Sequence, residues 1–184
     1  MTKKPEIVTK LTKLPFTEFE DFIYEVYKKG KLWQRFNYKN GLRELLHEWF
    51  HENGQLSERI NYKNDEKDGL LDGLFYGVED GTYEFFYENG QLEYRGNYKN
   101  GQREGLSEEF HKNGQLKLRE NYKNGELHGL YESFYDNGQL EQRRNYKNGK
   151  LEGPLEEFHK NGQLWERTIY KNGRPNFFSY KKRN

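Results

Sequence analysis

The chain of 184 residues is 33% charged yet has a formal net charge of only +1. No global field therefore draws it to nucleic acid or to an anionic membrane. It has no cysteine, which excludes disulfides and thiolate chemistry. Only 32% of it is hydrophobic, but 15 Tyr and 13 Phe separate it from disordered chains and imply a thin fold held by aromatic contacts.

Residues 1–18 read as an N-terminal cap. Pro5 and Pro15 punctuate them, and Glu6 to Leu11 can form a short edge strand. Lys3, Lys4, Lys10 and Lys13 without an apolar run do not make a signal peptide. No apolar run anywhere is long enough to span a bilayer, so a soluble, cytoplasmic protein is expected. Phe19 to Lys28 is the first good strand.

From there the chain repeats. Asn-Gly-Gln-Leu occurs five times, at Asn53, Asn89, Asn113, Asn137 and Asn161. Its glycines are separated by 36, 24, 24 and 24 residues, which is a period of 24 with one extra half-unit. Gly30 marks a degenerate copy 24 residues before Gly54. Between these stand Asn-Tyr-Lys-Asn segments at Asn37, Asn61, Asn97, Asn121 and Asn145, with a near-copy from Ile169 to Asn172. Asn-Gly between alternating apolar runs is a strong hairpin signal.

The hydrophobic pattern argues for a three-residue loop at each Asn-Gly-Gln-Leu turn, with glycine in a left-handed bulge position. His111 then opposes Gln115 and Phe110 opposes Leu116. The Tyr-Lys-Asn-Gly turn is expected to follow the same rule, placing Tyr122 opposite Glu126. One face then carries Leu106, Glu108, Phe110, Leu116, Leu118, Glu120 and Tyr122. The other carries Ser107, Glu109, His111, Lys117, Arg119 and Asn121. The expected fold is all-β: one elongated, twisted antiparallel meander of β-hairpin repeats, with roughly 12–15 strands, over residues 19–174. The half-unit at residues 70–81 is either two short strands turning near Asp72-Gly73 or a bulged excursion, since a single added strand would reverse all that follow. Residues 175–184 form a last strand or a cap over the open edge.

The chain carries no evident chemistry. His51, His111 and His159 occupy equivalent positions, about 9.6 Å or more apart at ~4.8 Å per strand, too far to share a zinc ion. Glu48, Glu84, Glu108, Glu132 and Glu156 form a row on the Leu/Phe face, whose even spacing lacks the asymmetry of an acid–base pair. Ser57, Ser107, Ser133 and Ser179 stand in no nucleophile elbow. Asn-Gly here is a turn and not a phosphate loop. No enzyme activity, cofactor or metal is expected.

The most informative set is a column of arginines at one repeat position: Arg35, Arg59, Arg95, Arg119, Arg143 and Arg167. In the expected register Arg119 faces Ser107 and Gly129, Arg95 faces Tyr83 and Gly105, and Arg143 faces Tyr131 and Gly153. Trp33, Trp49, Phe85, Tyr87, Tyr135 and Trp165 are expected on the same face. Arginine with tyrosine and tryptophan is the composition of binding hot spots, and it also suits phosphates and bases. Alternatively each arginine pairs with Glu93, Glu109, Glu141 or Glu157. The partner-binding candidates are thus the six arginines with Trp33, Trp49, Tyr83, Tyr87, Tyr131, Tyr135 and Trp165. Phe75 and Tyr76 join them from the half-unit, which is not needed to propagate the fold.

The Tyr-Lys-Asn-Gly turn, the Gly-Leu-x-Glu-x-Phe strand of Gly105 to Phe110, its near-copy Gly129 to Phe134, and the Asn-Gly-Gln-Leu turn resemble MORN repeats. They most resemble the bacterial variant found in YwqK-type antitoxins, over about Phe19 to Gly173. The resemblance implies a non-catalytic repeat scaffold that binds a protein partner, such as a toxin it neutralises. The chain departs from the usual MORN pattern, because only Tyr94-Arg95-Gly96-Asn97-Tyr98 approaches a Tyr-x-Gly-x-Trp core. That departure argues against lipid binding. A phage or mobile-element inhibitor of a host nuclease, a nucleic-acid binder using the arginines, and a self-associating scaffold stand as alternatives.

Overall fold

The computed structural model describes residues 7–13, 22–39, 42–62 and 81–181. The first strands are β1 (Ile7–Lys13), β2 (Phe22–Lys28), β3 (Lys31–Lys39), β4 (Leu42–Phe50) and β5 (Leu56–Tyr62). Then come β6 (Gly81–Phe86), β7 (Leu92–Lys99), β8 (Gln102–Arg103), β9 (Gly105–Phe110), β10 (Leu116–Lys123) and β11 (Glu126–Leu127). The rest are β12 (Gly129–Phe134), β13 (Leu140–Lys147), β14 (Lys150–Leu151), β15 (Gly153–Phe158), β16 (Leu164–Lys171) and β17 (Arg174–Lys181). All 17 belong to one sheet. The pairing is antiparallel and follows chain order from β1 to β17. The two-residue strands β8, β11 and β14 are the starts of β9, β12 and β15, so 14 continuous strands cross the sheet.

Strands pack against their sheet neighbours, and among the described residues no second layer covers either face. The exposed area is 13424 Å², against about 9,400 Å² for a compact protein of this mass. Burial therefore comes from neighbours on the same face. Val26, Phe36 and Ile60 form the small apolar core, and His47 lies buried between the Phe36 ring at 3.8 Å and the Trp49 ring at 3.4 Å.

The Asn-Gly-Gln-Leu turns have the expected three-residue loop. The His111 carbonyl accepts from Gly114 N–H at 2.8 Å, and His111 N–H donates to the Gln115 carbonyl at 2.8 Å. Gly114 has φ +83°, the left-handed conformation that glycine adopts without strain. The asparagine does two further things. Asn113 Oδ1 accepts from Gln115 N–H at 3.0 Å, while Nδ2 donates to the Asp136 carbonyl of the next turn at 2.9 Å. Asn53, Asn89 and Asn137 make the same bond to the following turn.

The residue before each loop adds a second tie. His51, Tyr87, His111 and Tyr135 reach the carbonyls of Phe86, Phe110, Phe134 and Phe158 at 2.8, 2.8, 3.0 and 2.8 Å. A carbonyl only accepts, so the His Nε2 there carries the proton. Histidine and tyrosine substitute for one another because both present a donor at the far end of the ring.

The other turns differ from expectation. Lys123 pairs with Glu126 and Tyr122 with Leu127, so the loop is the two residues Asn124 and Gly125. Both have positive φ, 50° and 78°. This is a type I′ turn, whose twist matches the flanking strands and which asparagine tolerates. The same loop closes at Asn100, Asn148 and Asn172, and Lys29-Gly30 also adopts it. Gly30 therefore closes a two-residue turn at the place where the later copies have a three-residue loop, and the bulge at Trp33 follows it as at those copies.

β5 and β6 pair directly, with Tyr62 opposite Gly81 and Glu58 opposite Phe85. The half-unit thus places no strand between them, and every later turn keeps its edge. Gly81 opens β6, so the interruption ends before it. Residues 63–80, with Phe75 and Tyr76, lie outside the described residues. At the ends, β1 pairs with β2 and the tail forms β17 against β16.

Asn113→Ala removes both bonds of the turn clasp and is expected to cost about 1–2 kcal/mol. Asn113→Asp keeps the acceptor for Gln115 but loses the donor to Asp136, and is expected to cost roughly half as much. Urea denaturation of the two variants measures each bond. An unchanged midpoint in the alanine variant would remove the clasp from the account of stability.

Candidate binding face

One backbone irregularity decides what each face displays. Phe110 opposes Leu116, but Glu109 opposes Leu118, so Lys117 is an extra residue in β10. The same β-bulge recurs at Trp33, Ser57, Glu93, Glu141 and Trp165. Beyond the bulge every side chain changes face relative to plain alternation. The expected faces hold through Lys117 and then reverse. Arg119 and Asn121 join Glu108, Phe110 and Leu116, while Leu118, Glu120 and Tyr122 move to the face of Ser107 and Glu109.

The arginine column therefore does not face Ser107, Tyr83, Tyr131 or the glycines. Arg119 opposes Glu108 and Glu132, Arg95 opposes Glu84 and Glu108, and Arg143 opposes Glu132 and Glu156. Arginines and glutamates alternate across the sheet as one ladder. Arg35 meets Glu25 at 3.1 Å and Glu48 at 3.5 Å; Arg59 meets Glu48 at 3.2 Å and Glu84 at 3.4 Å. Glu108 holds both Arg95 and Arg119, and Glu156 holds Arg143 at 3.0 Å and Arg167 at 3.5 Å. Arg35 and Arg59 also lie over Phe50 and Phe86. None of these pairs involves Glu93, Glu109, Glu141 or Glu157, which project from the opposite face.

That opposite face carries the aromatic candidates, so the structure parts them from the arginines. Trp49 stacks on His47. Tyr83 packs on Tyr98 at 4.8 Å, and Arg144 lies over Tyr131 at 3.9 Å. Tyr87 and Tyr135 make the turn ties given above, and Trp33 and Trp165 are exposed bulge residues. Toward the other edge, Arg103 donates to Tyr122 Oη at 2.8 Å, and Tyr122 donates to Glu120 at 2.9 Å. Burial and the Glu120 bond push the Tyr122 hydroxyl up to about 12.

Two hollows open along this face beside the bulges. One, of about 420 Å³, is lined by Lys117, Leu118, Tyr131, Ser133, Tyr135, Glu141, Gln142, Glu157, Phe158 and Trp165. The other, of about 310 Å³, is lined by Phe85, Tyr87, Glu93, Tyr94, Glu109 and Lys117. Lys117 pairs with Glu109 at 3.1 Å, which together with Glu109's charge holds its amine above its ordinary value. Sequence reasoning assigned the carboxylates to ion pairs with arginine and missed Tyr94, Gln142 and Leu118. The available signal was that these positions differ from repeat to repeat.

The two faces treat carboxylates oppositely. Burial raises Glu108, but hydrogen bonds and charge from Arg95 and Arg119 outweigh it and hold the carboxyl below its ordinary value. Glu58, between Trp49 and Phe85 on the variable side, has its carboxyl raised by burial.

A single-layer sheet of clasped hairpins, copied along one axis, defines a repeat protein. The MORN repeat variant matches at residues 43–64, 79–100, 103–124, 127–148 and 151–172. These matches cover more than half of the chain, which belongs to the MORN repeat variant family. No curated protein matches it.

Glu108 contributes stability above the ordinary carboxylate range that is lost as the pH falls through its lowered folded value. Glu108→Gln is expected to cost about 2 kcal/mol at neutral pH and to flatten the acid limb of the stability curve. Glu58 has the reverse sign, because its raised value makes ionisation unfavourable to the fold. Glu58→Gln is expected to stabilise at neutral pH and to have no such effect below the ordinary carboxylate range. Denaturation midpoints across an acid-to-neutral series check both signs.

Proposed function

We propose that the protein is a non-catalytic binding module that engages a protein partner through the face carrying the bulges. The observation that carries this is a segregation within the chain itself. On the ladder face the repeats are nearly identical: Phe50, Phe86, Phe110, Phe134 and Phe158; Leu56, Leu92, Leu116, Leu140 and Leu164; and the six arginines. On the other face the bulge position reads Trp33, Ser57, Glu93, Lys117, Glu141 and Trp165. Positions that propagate a fold must recur in every unit, whereas those that meet a particular partner need not.

The arginines are engaged by carboxylates, which argues against reading them as phosphate or base contacts. Exposed Trp165 and half-buried Tyr131 and Tyr135 supply the rigid aromatic surface that protein interfaces favour. Occupying a partner's surface in the cytoplasm suffices to inhibit it. That is the antitoxin or immunity role the repeat resemblance implies, and a phage or mobile-element inhibitor of a host nuclease acts by the same contact.

Trp165→Ala lies on the variable face, and Leu130→Ser changes an exposed residue of the ladder face. Proteins captured from native lysate in high salt should be lost with the first variant and kept with the second. Capture that follows Leu130 instead, or that vanishes with salt in both, assigns binding to the ladder face or to simple charge attraction.

A further inference from the structure

We propose that the partner presents an extended, cationic segment crossing the variable face, with two Arg or Lys side chains six residues apart entering the two hollows. This rests on the reading that the variable face binds a protein, and adds the chemistry and spacing of what it binds.

The hollows are one site built twice. Tyr87, Glu93, Tyr94 and Glu109 line the second; Tyr135, Glu141, Gln142 and Glu157 occupy the same repeat positions, 48 residues later, in the first. Each hollow therefore sets two carboxylates beside aromatic surface, the combination that receives a guanidinium or ammonium. In the first hollow the carboxylates take hydrogen bonds from neutral donors, Ser133 to Glu141 at 3.1 Å and Gln142 to Glu157 at 3.0 Å. Neither forms an ion pair with a cation of the described residues.

The chain itself supplies an example of the occupant. Lys117 lines the second hollow and binds Glu109. At the equivalent bulge position of the first hollow stands Trp165. Lys117 also lines the first hollow, but its ion pair is with Glu109 of the second. Glu141 and Glu157 accept from neutral donors, and Glu93 stands in the second hollow beside the Lys117–Glu109 pair, so each hollow offers a carboxylate to an incoming cation. The ladder face, by contrast, neutralises its own charges.

Spacing follows from the sheet. Four strand steps separate the equivalent positions, about 19 Å at ~4.8 Å per step. An extended peptide rises about 3.3 Å per residue, so about six residues span that distance. Six is even, so side chains at i and i+6 leave the peptide on the same side and both point into the sheet.

The test uses fluorescein-labelled peptides of Ser, Thr and Val carrying two arginines, titrated against the full chain by fluorescence anisotropy. Arginines at i and i+6 should bind at least about tenfold tighter than arginines at i and i+3 or glutamates at i and i+6. Glu141→Gln with Glu157→Gln should weaken the first peptide about tenfold, as should Trp165→Ala, while Leu130→Ser leaves it unchanged. Circular dichroism establishes that each variant is folded. Equal binding at both spacings, no binding, or indifference to the hollow variants overturns the proposal. So does a concentration-dependent dimer abolished by Trp165→Ala, which makes a second copy the occupant. If the peptides fail while Trp165→Ala still abolishes partner capture, only the ligand chemistry falls. If neither responds to Trp165, the binding face itself falls with it.

Discussion

One extra backbone residue per repeat governs everything displayed by this sheet. Side chains alternate strictly along a strand, so inserting one residue at Lys117 and its equivalents exchanges the two faces for the remainder of the strand. That exchange carries Arg119 from the side of Ser107 to the side of Glu108. Without it the arginines would stand among tyrosines and the glutamates would form an unbroken acidic row. With it the two rows interleave, and each arginine reaches at least one carboxylate.

A sheet with no covering layer has to find its cohesion within each face and along each edge. On one face this is the alternating ladder, in which Glu48 and Glu108 are buried beneath their arginines. On the other it is ring packing, as where His47 lies between Phe36 and Trp49. Along one edge the asparagines join successive turns, and His or Tyr ties each unit to the next Phe carbonyl. Exposed ion pairs are individually weak, but here Glu48, Glu108 and Glu156 each hold two arginines, which links neighbouring pairs. Nearest-neighbour ties of this kind make stability a sum over units, which lets the chain carry an interruption between β5 and β6 without losing register.

The division of labour between faces gives the repeat its use. The ladder leaves little freedom at its positions, because each arginine stands opposite a glutamate and pairs with one. The bulged residues are under no such demand: Glu93, Lys117, Glu141 and Trp165 line the hollows, and the set ranges from tryptophan to serine, glutamate and lysine. Changing them alters the surface without altering the fold.

The sequence by itself determined the period, the all-β meander, the three-residue Asn-Gly-Gln-Leu loop and the pairing of Phe110 with Leu116. Those features are local: Asn-Gly turn chemistry and apolar alternation act over a few residues. It also singled out Trp33, Trp165, Tyr135 and the arginine column as special positions. What it left undecided was which of them share a face. A bulge is set by how two strands settle their hydrogen bonds, and nothing in Leu-Lys-Leu or Leu-Glu-Gln announces it. The same applies to the Tyr-Lys-Asn-Gly turn, where the two-residue loop and the left-handed Gly129 together preserve a parity that either alone would not reveal. Only the assembled sheet decided that the arginines are held by glutamates and that the acidic, aromatic hollows lie on the other side. Facing is a property of paired strands and not of one strand's sequence.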